Sequence, residues 1–262
     1  MLEEQLEIIE ALGTKPEINV QEEIEKRVDF LVTYAKRAKV NGFVLGISGG
    51  QDSFNAGMLA RTAALYMGGI FVAMRLPYGV QADENDAVAA LRVIQANEVF
   101  THNIKTEVDA MASHFHEKVW SPLSDYLKGN DKARARMMAQ YRMAGFKNLL
   151  VVGTDHAAEA VTGFYTKFGD GACDITPLST LNKRQGRQLA EALGCPPIIL
   201  KKKPTADLLD ENPGQEDEFE LGLTYDQIDD FLEGKEIDPV AARKLIERYR
   251  MTQHKRDAIP GI

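Results

Sequence analysis

Cysteine is scarce in this chain: Cys173 and Cys195 are the only two in 262 residues. Their number and spacing exclude a disulfide framework and a zinc site, and a reducing compartment fits. No apolar run approaches the length of a membrane span, so no membrane partner is expected. A basic excess is also missing. Lys and Arg number 31 against 39 Asp and Glu, for a net charge of −8. Nucleic-acid binding usually needs a basic face, so no nucleic-acid partner is expected. The opening residues, Met1-Leu2-Glu3-Glu4-Gln5, are acidic where a signal peptide would be basic, which makes a cytoplasmic location the expectation. There are no internal repeats and no low-complexity tracts. What is left is a globular composition, 44% hydrophobic and 27% charged, on a chain long enough for one large domain or two small ones.

Against this background, Ser48-Gly49-Gly50-Gln51-Asp52-Ser53 carries the most information. An apolar run, Phe43-Val44-Leu45-Gly46-Ile47, precedes it and reads as a buried strand. Phe54 to Met67 follows with helical spacing. Strand, glycine turn and helix aim unpaired backbone N–H groups at a bound phosphate. Gly49 and Gly50 let the backbone turn sharply and come close to a ligand. Asp52, in the first helical turn, can hold Mg²⁺ beside the phosphates. The absence of Lys separates this loop from the GxxxxGK[ST] type. The plain alternative is a tight turn whose Ser and Asp cap the next helix.

Strands at 43–47, 69–74, 99–104 and 149–152 alternate with helices at 54–67, 83–96, 105–119 and 130–146. That order predicts an α/β fold, a Rossmann-like doubly wound parallel sheet flanked by helices, with ligands at the carboxyl ends of the strands. Two helices, 2–12 and 19–38, come first, and helices at 182–193, 225–232 and 239–250 follow the sheet. The polar stretch 201–226 is long for a structureless connection and is expected to be a mobile lid or partly disordered.

Four further clusters carry chemistry. Gly153-Thr154-Asp155-His156-Ala157-Ala158-Glu159 ends a strand and opens a helix. Glu159 is placed to meet Asp52, and two carboxylates there can hold a magnesium ion on a triphosphate. His156 reads as a cap rather than a ligand. Thr162 to Asp174 offers stacking rings, Lys167 as a point charge, and Asp170 and Asp174 as acceptors. In Asn130 to Arg136, Lys132 and Arg136 share a helix face while Arg134 points elsewhere. A basic cluster at a helix start opposes the helix dipole unless an anion binds nearby. Leu181 to Gln185 and Lys201 to Asp207 are two more basic stretches. Each alone reads as solvated surface; together, in an acidic chain, they suggest a phosphate-collecting pocket.

Ser48 to Ser53 resembles the pyrophosphate loop of the N-type ATP pyrophosphatases, which cleave ATP between the α and β phosphates to activate a carbonyl or carboxyl group by adenylation. The stretches 46–53, 76–81, 129–136, 151–174, 181–188, 204–208 and 254–256 together resemble one branch, the ammonia-dependent NAD synthetases. GTDHAAE, TGFYTKFGDG and LNKRQGRQL are its most specific matches. The resemblance implies an adenine nucleotide alpha hydrolase-like fold and a single domain over 1–262. Its parts are N-terminal helices 1–40, a nucleotide-binding core 41–200, and a lid with C-terminal helices 201–262. It implies that deamido-NAD is adenylated by ATP and that ammonia displaces AMP to give NAD.

By the same resemblance, Gly46, Ile47, Ser48, Gly49, Gly50, Gln51, Asp52, Ser53, Thr154, Lys183 and Thr205 bind ATP. Asp52 and Glu159 hold Mg²⁺. Arg134, Lys167, Asp174, His254 and Lys255 bind deamido-NAD where two subunits of a homodimer meet. Asp52, Lys183 and Asp174 are the catalytic candidates, with Asp174 taking a proton from the incoming ammonium. Phe164, Tyr141 and Tyr34 are candidate stacking surfaces for the nicotinate ring. A glutaminase would need its own domain and a nucleophilic Cys, so free ammonia is the expected donor.

The chain departs from that pattern at Phe54, where a small or hydroxyl residue is commoner, and at Cys173, where Ala or Thr is usual. It also ends at Ile262, where relatives generally continue with an aromatic tail. Two alternatives stay open. A tRNA-thiolating pyrophosphatase would call for catalytic cysteines and a basic RNA face. A nucleotide-sensing module without turnover would not need Glu159, Lys167 and Asp174 beside the loop.

Overall fold

A computed structural model describes residues 3–80, 84–205, 208–212 and 214–261. Two helices, α1 (Glu3–Leu12) and α2 (Val20–Ala38), precede the sheet. The sheet is built from β1 (Gly42–Gly46), α3 (Gln51–Met67), β2 (Ile70–Arg75), α4 (Glu84–Ile94) and β3 (Glu98–Thr101). Then come α5 (Lys105–Val119), α6 (Asp125–Lys147) and β4 (Leu150–Val151). The remainder is α7 (Ala157–Thr162), α8 (Lys183–Ala192), α9 (Pro197–Leu200), α10 (Asp217–Leu221), α11 (Tyr225–Leu232), α12 (Pro239–Met251) and α13 (Gln253–Arg256).

All strand pairs are parallel, in the order β3-β2-β1-β4. The expected doubly wound α/β sheet is therefore present. A parallel bridge from Val152 to Ile175 continues the β4 edge. Alternation along β1 divides the core in two. Phe43, Leu45 and Ile47 face one side, where they meet Phe54 and Leu59 of α3 and Leu31 of α2. Val44 faces the other, with Val72, Val108, Ala135 and Val151. Alanines and Gly57 line α3 because it packs closely: a Cβ on Gly57 would lie 3.0 Å from Ile94 and 3.2 Å from Ile47. Phe54, unusual for the motif it follows, is fully buried in this core.

A satellite core lies apart from the sheet. Ile8 of α1, Val161 of α7, Phe231 of α11 and Leu245 of α12 are buried in it together. It fastens α1, α11 and α12 to α7, the helix that carries Glu159.

The helix expected at 130–146 begins at Asp125, capped by Ser124, whose hydroxyl accepts the Leu127 N–H at 3.3 Å. Lys132 and Arg136 thus stand in mid-helix, and the expected conflict with the helix dipole does not arise there. The expectations touching Leu2, Gln81, Asp83, Ala206, Asp207, Pro213 and Ile262 lie outside the described residues. Within 201–226, Thr205 bridges Glu216 and α10 forms.

Candidate active site

The glycine turn leaves β1 where the Ile47 N–H still bonds the Met74 carbonyl at 2.8 Å. Gly49 has φ +80°, and a Cβ there would sit 2.5 Å from the Ala87 amide nitrogen at the start of α4. Only glycine fits both demands. Ser53 braces the turn: its hydroxyl donates to the Gly50 carbonyl at 3.0 Å and lies 3.1 Å from the Ser48 hydroxyl. Gly50 is the N-cap of α3 and supplies no side-chain cap, so the first-turn N–H groups face outward as an anion cradle.

The turn opens into a cavity of about 290 Å³ at the carboxyl ends of β1 and β4. Gly46, Ile47, Ser48, Gly50, Gln51, Asp52 and Ser53 line it, together with Thr154, Glu159, Phe164, Lys183 and Thr205. Gly49 shapes the turn from behind. Residues that the sequence did not single out also face it. Gln140 accepts the Gly46 N–H at 2.8 Å, and Asp217 arrives from α10. Neither lies in a motif. Arg136 faces the cavity as well, and its Nε donates to the Leu76 carbonyl at 3.1 Å. Lys132 lies one turn away on the same face, buried against Tyr78, and donates to Leu208 O at 2.7 Å and Asp210 at 2.5 Å, where segment 208–212 approaches α6.

Lys183 Nζ donates to Asp52 Oδ2 at 2.7 Å and stands 3.4 Å from His156 Nε2. His156 is the N-cap of α7: its Nδ1 accepts the Glu159 N–H at 3.4 Å, while the His156 N–H donates to Glu159 Oε2 at 3.3 Å. This reciprocal cap aims the Glu159 carboxylate back toward Asp52. One ligand atom each from Asp52, His156 and Glu159 fall within 4.8 Å of one another.

The electrostatics are strained by acid crowding. Burial disfavours ionisation of Asp52, but Lys183 and His156 outweigh it and hold the carboxyl well below its usual range. Burial, then Asp155 and Asp52, push Glu159 well above its own. Burial and Asp170 push Asp155 up to about 7. Burial, with Lys183 adding to it, lowers the His156 imidazole against the pull of Asp52. Carboxylates that resist ionisation in a closed site become favourable when a hard divalent cation joins them. The two carboxylates of this group, Asp52 and Glu159, are oxygen donors of the kind a hard divalent cation such as Mg²⁺ takes.

Of the residues expected to bind a second substrate, Phe164 alone is among those lining this cavity. Asp174 accepts the Val151 N–H at 2.7 Å and the Tyr141 hydroxyl at 3.3 Å. Lys255 donates to the carbonyls of Gly163 at 2.7 Å and Tyr165 at 2.6 Å, and Lys167 donates to the His254 carbonyl. Arg134 pairs with Asp131 at 3.6 Å. The three candidate stacking rings do not share a pocket within one chain. Phe164 packs on the satellite core, Tyr141 on the α5–α6 side of the sheet, and Tyr34 on the α2–α3 side beside Phe30 and Arg37. Helices on opposite faces of one sheet hold Tyr34 and Tyr141 apart. Cys173 fills the space against Gly153, and burial, with Asp155 and Asp174, pushes its thiol up to about 12. It is no nucleophile.

The model of one family, described as NAD synthase, matches residues 23–259. An NH(3)-dependent NAD(+) synthetase of Bacillus licheniformis is 53% identical over 257 residues, covering 96% of this chain and 94% of the relative. A solved NAD+ synthetase from Burkholderia pseudomallei superposes with a TM-score of 0.83 at 43% identity, covering 96% of this chain and 95% of that one. An NMN synthetase structure from Francisella tularensis gives a TM-score of 0.83 at 36% identity, covering 94% of this chain and 99% of that one.

Proposed function

The chain belongs to the NAD synthase family, and from that membership we propose that it converts deamido-NAD to NAD with ATP and free ammonia, releasing AMP and pyrophosphate. It is a ligase forming a carbon–nitrogen bond, and ATP is its co-substrate. One observation carries the reading into this chain's own chemistry: Lys183 and Asp52 meet at 2.7 Å beside the glycine turn, within a cavity that also holds Glu159.

A carboxylate is a poor electrophile because its oxygen is a poor leaving group, and adenylation replaces it with a good one. The N–H groups opening α3 take the departing phosphates. Ser48 and Ser53 keep that turn fixed, so little reorganisation is needed as charge develops. Lys183 neutralises charge between two anions that must approach each other, and Thr154 and Thr205 bound the nucleotide. Asp52 and Glu159 would hold Mg²⁺, which supplies charge neutralisation on the triphosphate when bound. Asp174, fixed by Val151 and Tyr141, receives a proton from the incoming ammonium. Arg134, Lys167, His254 and Lys255 hold the dinucleotide.

The dinucleotide site is completed by a second copy of the chain. Exposed apolar side chains along and just after α5 and at the start of α6 support a homodimer: Met111, Phe115, Trp120, Tyr126 and Leu127 are all exposed, Trp120 by 87%. Large exposed apolar surface is a mark of association sites. Tyr34, Tyr141 and Phe164 remain candidate ring contacts, drawn from two subunits rather than one. The location is cytoplasmic; among the described residues no helix is long and apolar enough to cross a membrane.

A coupled assay with ATP and deamido-NAD tests the reading. NAD forms with ammonium and not with glutamine, and pyrophosphate release requires both deamido-NAD and ATP. Pyrophosphate release without deamido-NAD, or no NAD at any ammonium concentration, overturns it. The mononucleotide counterpart of the substrate serves as the comparison arm.

A further inference from the structure

Helix α11 contributes no residue to the cavity lining, yet it grips Lys183 at both ends. Thr224 opens α11 with a reciprocal cap: its hydroxyl accepts the Gln227 N–H at 3.2 Å and its own N–H donates to Gln227 Oε1 at 3.0 Å. That cap sets the first turn, so Tyr225 and Asp229, four apart, share one face. Asp229, 2% exposed, accepts the Lys183 N–H at 3.0 Å on Oδ1 and the Arg184 N–H at 2.7 Å on Oδ2. Tyr225 turns its ring toward the other end of the same lysine, 5.1 Å from Nζ. Its hydroxyl donates to Asp217 at 2.9 Å, and Asp217 lines the cavity.

Capping alone does not account for Asp229. Asn182 already caps α8, accepting the Gln185 N–H at 2.8 Å and donating to Glu233 at 2.8 Å. A buried carboxylate placed on the first two N–H groups as well carries a desolvation cost that a surface cap avoids. What it adds is rotational definition: two bonds to adjacent N–H groups fix α8 about its axis and so fix the direction of the Lys183 side chain. The grip is rigid because Ile228, Phe231 and Leu232 of α11 are buried in the satellite core together with Ala157, Ala158 and Val161 of α7. The helix that aims Glu159 and the helix that aims Lys183 therefore share one packing unit.

We infer that Tyr225 and Asp229 are positioning residues for adenylation, setting where the Lys183 ammonium meets Asp52 and the phosphates. This rests on the function proposed above. A displacement of about 1 Å at a reacting centre costs about 10²-fold in rate, which sets the scale of the effect.

The test is a double-mutant cycle on NAD formation, with Asp229→Asn, Lys183→Ala and the double variant. Asparagine offers one acceptor where the carboxylate offers two, and turns an NH₂ on the remaining N–H. Asp229→Asn is expected to lower kcat about 10- to 100-fold and to shift KM for ATP by less than about threefold. In the Lys183→Ala background the same change is expected to cost less than about twofold, because there is no ammonium left to place. An equal loss in both backgrounds overturns the inference, since a merely structural role acts regardless of Lys183. Should Asp229→Asn fail to fold, the Tyr225 pair decides: Tyr225→Leu is expected to lower kcat about tenfold more than Tyr225→Phe, and equal losses overturn the ring's part. A wild-type chain that makes no NAD removes the functional reading and this inference together. An active enzyme with an additive cycle removes this inference alone.

Discussion

Lys183 Nζ and Asp52 Oδ2 lie 2.7 Å apart across 131 positions of sequence, tying the start of α8 to the start of α3. The lysine side chain is 14% exposed and the aspartate 22%, so each depends on the other for its charge. Asp52→Ala removes an oxygen of the proposed Mg²⁺ pair and leaves a largely enclosed ammonium without its carboxylate partner. NAD formation by that variant is expected to fall about 10²- to 10³-fold, measured as kcat at saturating substrates. Undiminished turnover would remove the loop from the mechanism.

Metal removal acts on the same corner. Chelation is expected to abolish turnover, and added Mg²⁺ to restore it. Glu159→Gln keeps the size of the side chain but not its charge, and removes one oxygen of the proposed pair. The free Mg²⁺ needed for half-maximal rate is then expected to rise about 10- to 100-fold. An unchanged Mg²⁺ dependence would place the ion elsewhere.

Stability should respond to pH through Asp155, whose ordinary carboxyl value of 3.8 is pushed up to about 7 by burial and by Asp170. Between those values the folded chain keeps a proton that the unfolded chain has lost. The Asp155 contribution to stability therefore falls as pH rises from about 4 to about 7 and then levels, and Glu159, also pushed up, acts with the same sign. Asp229, raised to about 6 chiefly by burial, acts with the same sign over a narrower window. Asp52, lowered, acts in the opposite sense, losing stability as pH drops below its ordinary 3.8. Denaturant melts of ligand-free protein from pH 5 to 7 are expected to show the decline, and Asp155→Asn to flatten it by up to about 1.4 kcal/mol per pH unit. A slope that survives the substitution would assign the decline to other groups.

Asp174→Asn separates the two half-reactions. The amide keeps an acceptor for the Val151 N–H, which now bonds the carboxylate at 2.7 Å, but it cannot take a proton. Amide formation is expected to slow about 10²- to 10⁴-fold, the usual scale of a lost general base, while pyrophosphate release in the first turnover continues. Loss of both steps by the same factor would make Asp174 a binding residue only.

The α5–α6 face predicts its own test. Phe115→Glu places charge on an exposed apolar surface, so the folded monomer is expected to keep its melting temperature. Sedimentation is then expected to report a monomer where the proposed wild-type assembly is a dimer, with KM for deamido-NAD raised about tenfold or more. A dimer that survives both Phe115→Glu and Trp120→Glu would move the interface elsewhere.

The sheet was legible because its signals are local. Apolar runs at 43–47 and 69–74 alternate with helical spacing, and the observed parallel ladder follows from them. The glycine turn, Thr154, Glu159, Lys183 and Thr205 carry motif signals, and one cavity gathers them. Other features depend on contacts that no local pattern announces. Gly129-Asn130 looks like a helix start, yet α6 begins at Asp125 and runs through it; a Cβ at Gly129 would sit 3.2 Å from the Leu208 Cβ. That glycine serves a close approach rather than a boundary. Gln140 lies within an unremarkable helical stretch, and only folding turns it onto the Gly46 N–H. Tyr34 and Tyr141 look equally suited to stacking, and only the layering of the sheet reveals that one chain holds them apart.

The satellite core has a consequence for synthesis. Ile8 is synthesised long before Leu245 and Ile246, yet they are buried together around α7. Gln5 adds bonds to the carbonyls of Phe231 and Lys235, both at 2.9 Å. A nascent chain can complete its parallel strands well before this cluster closes. Until α11 and α12 emerge, the segment bearing His156 and Glu159 lacks most of its cover, so a fragment released before them would hold a formed sheet beside an unassembled site.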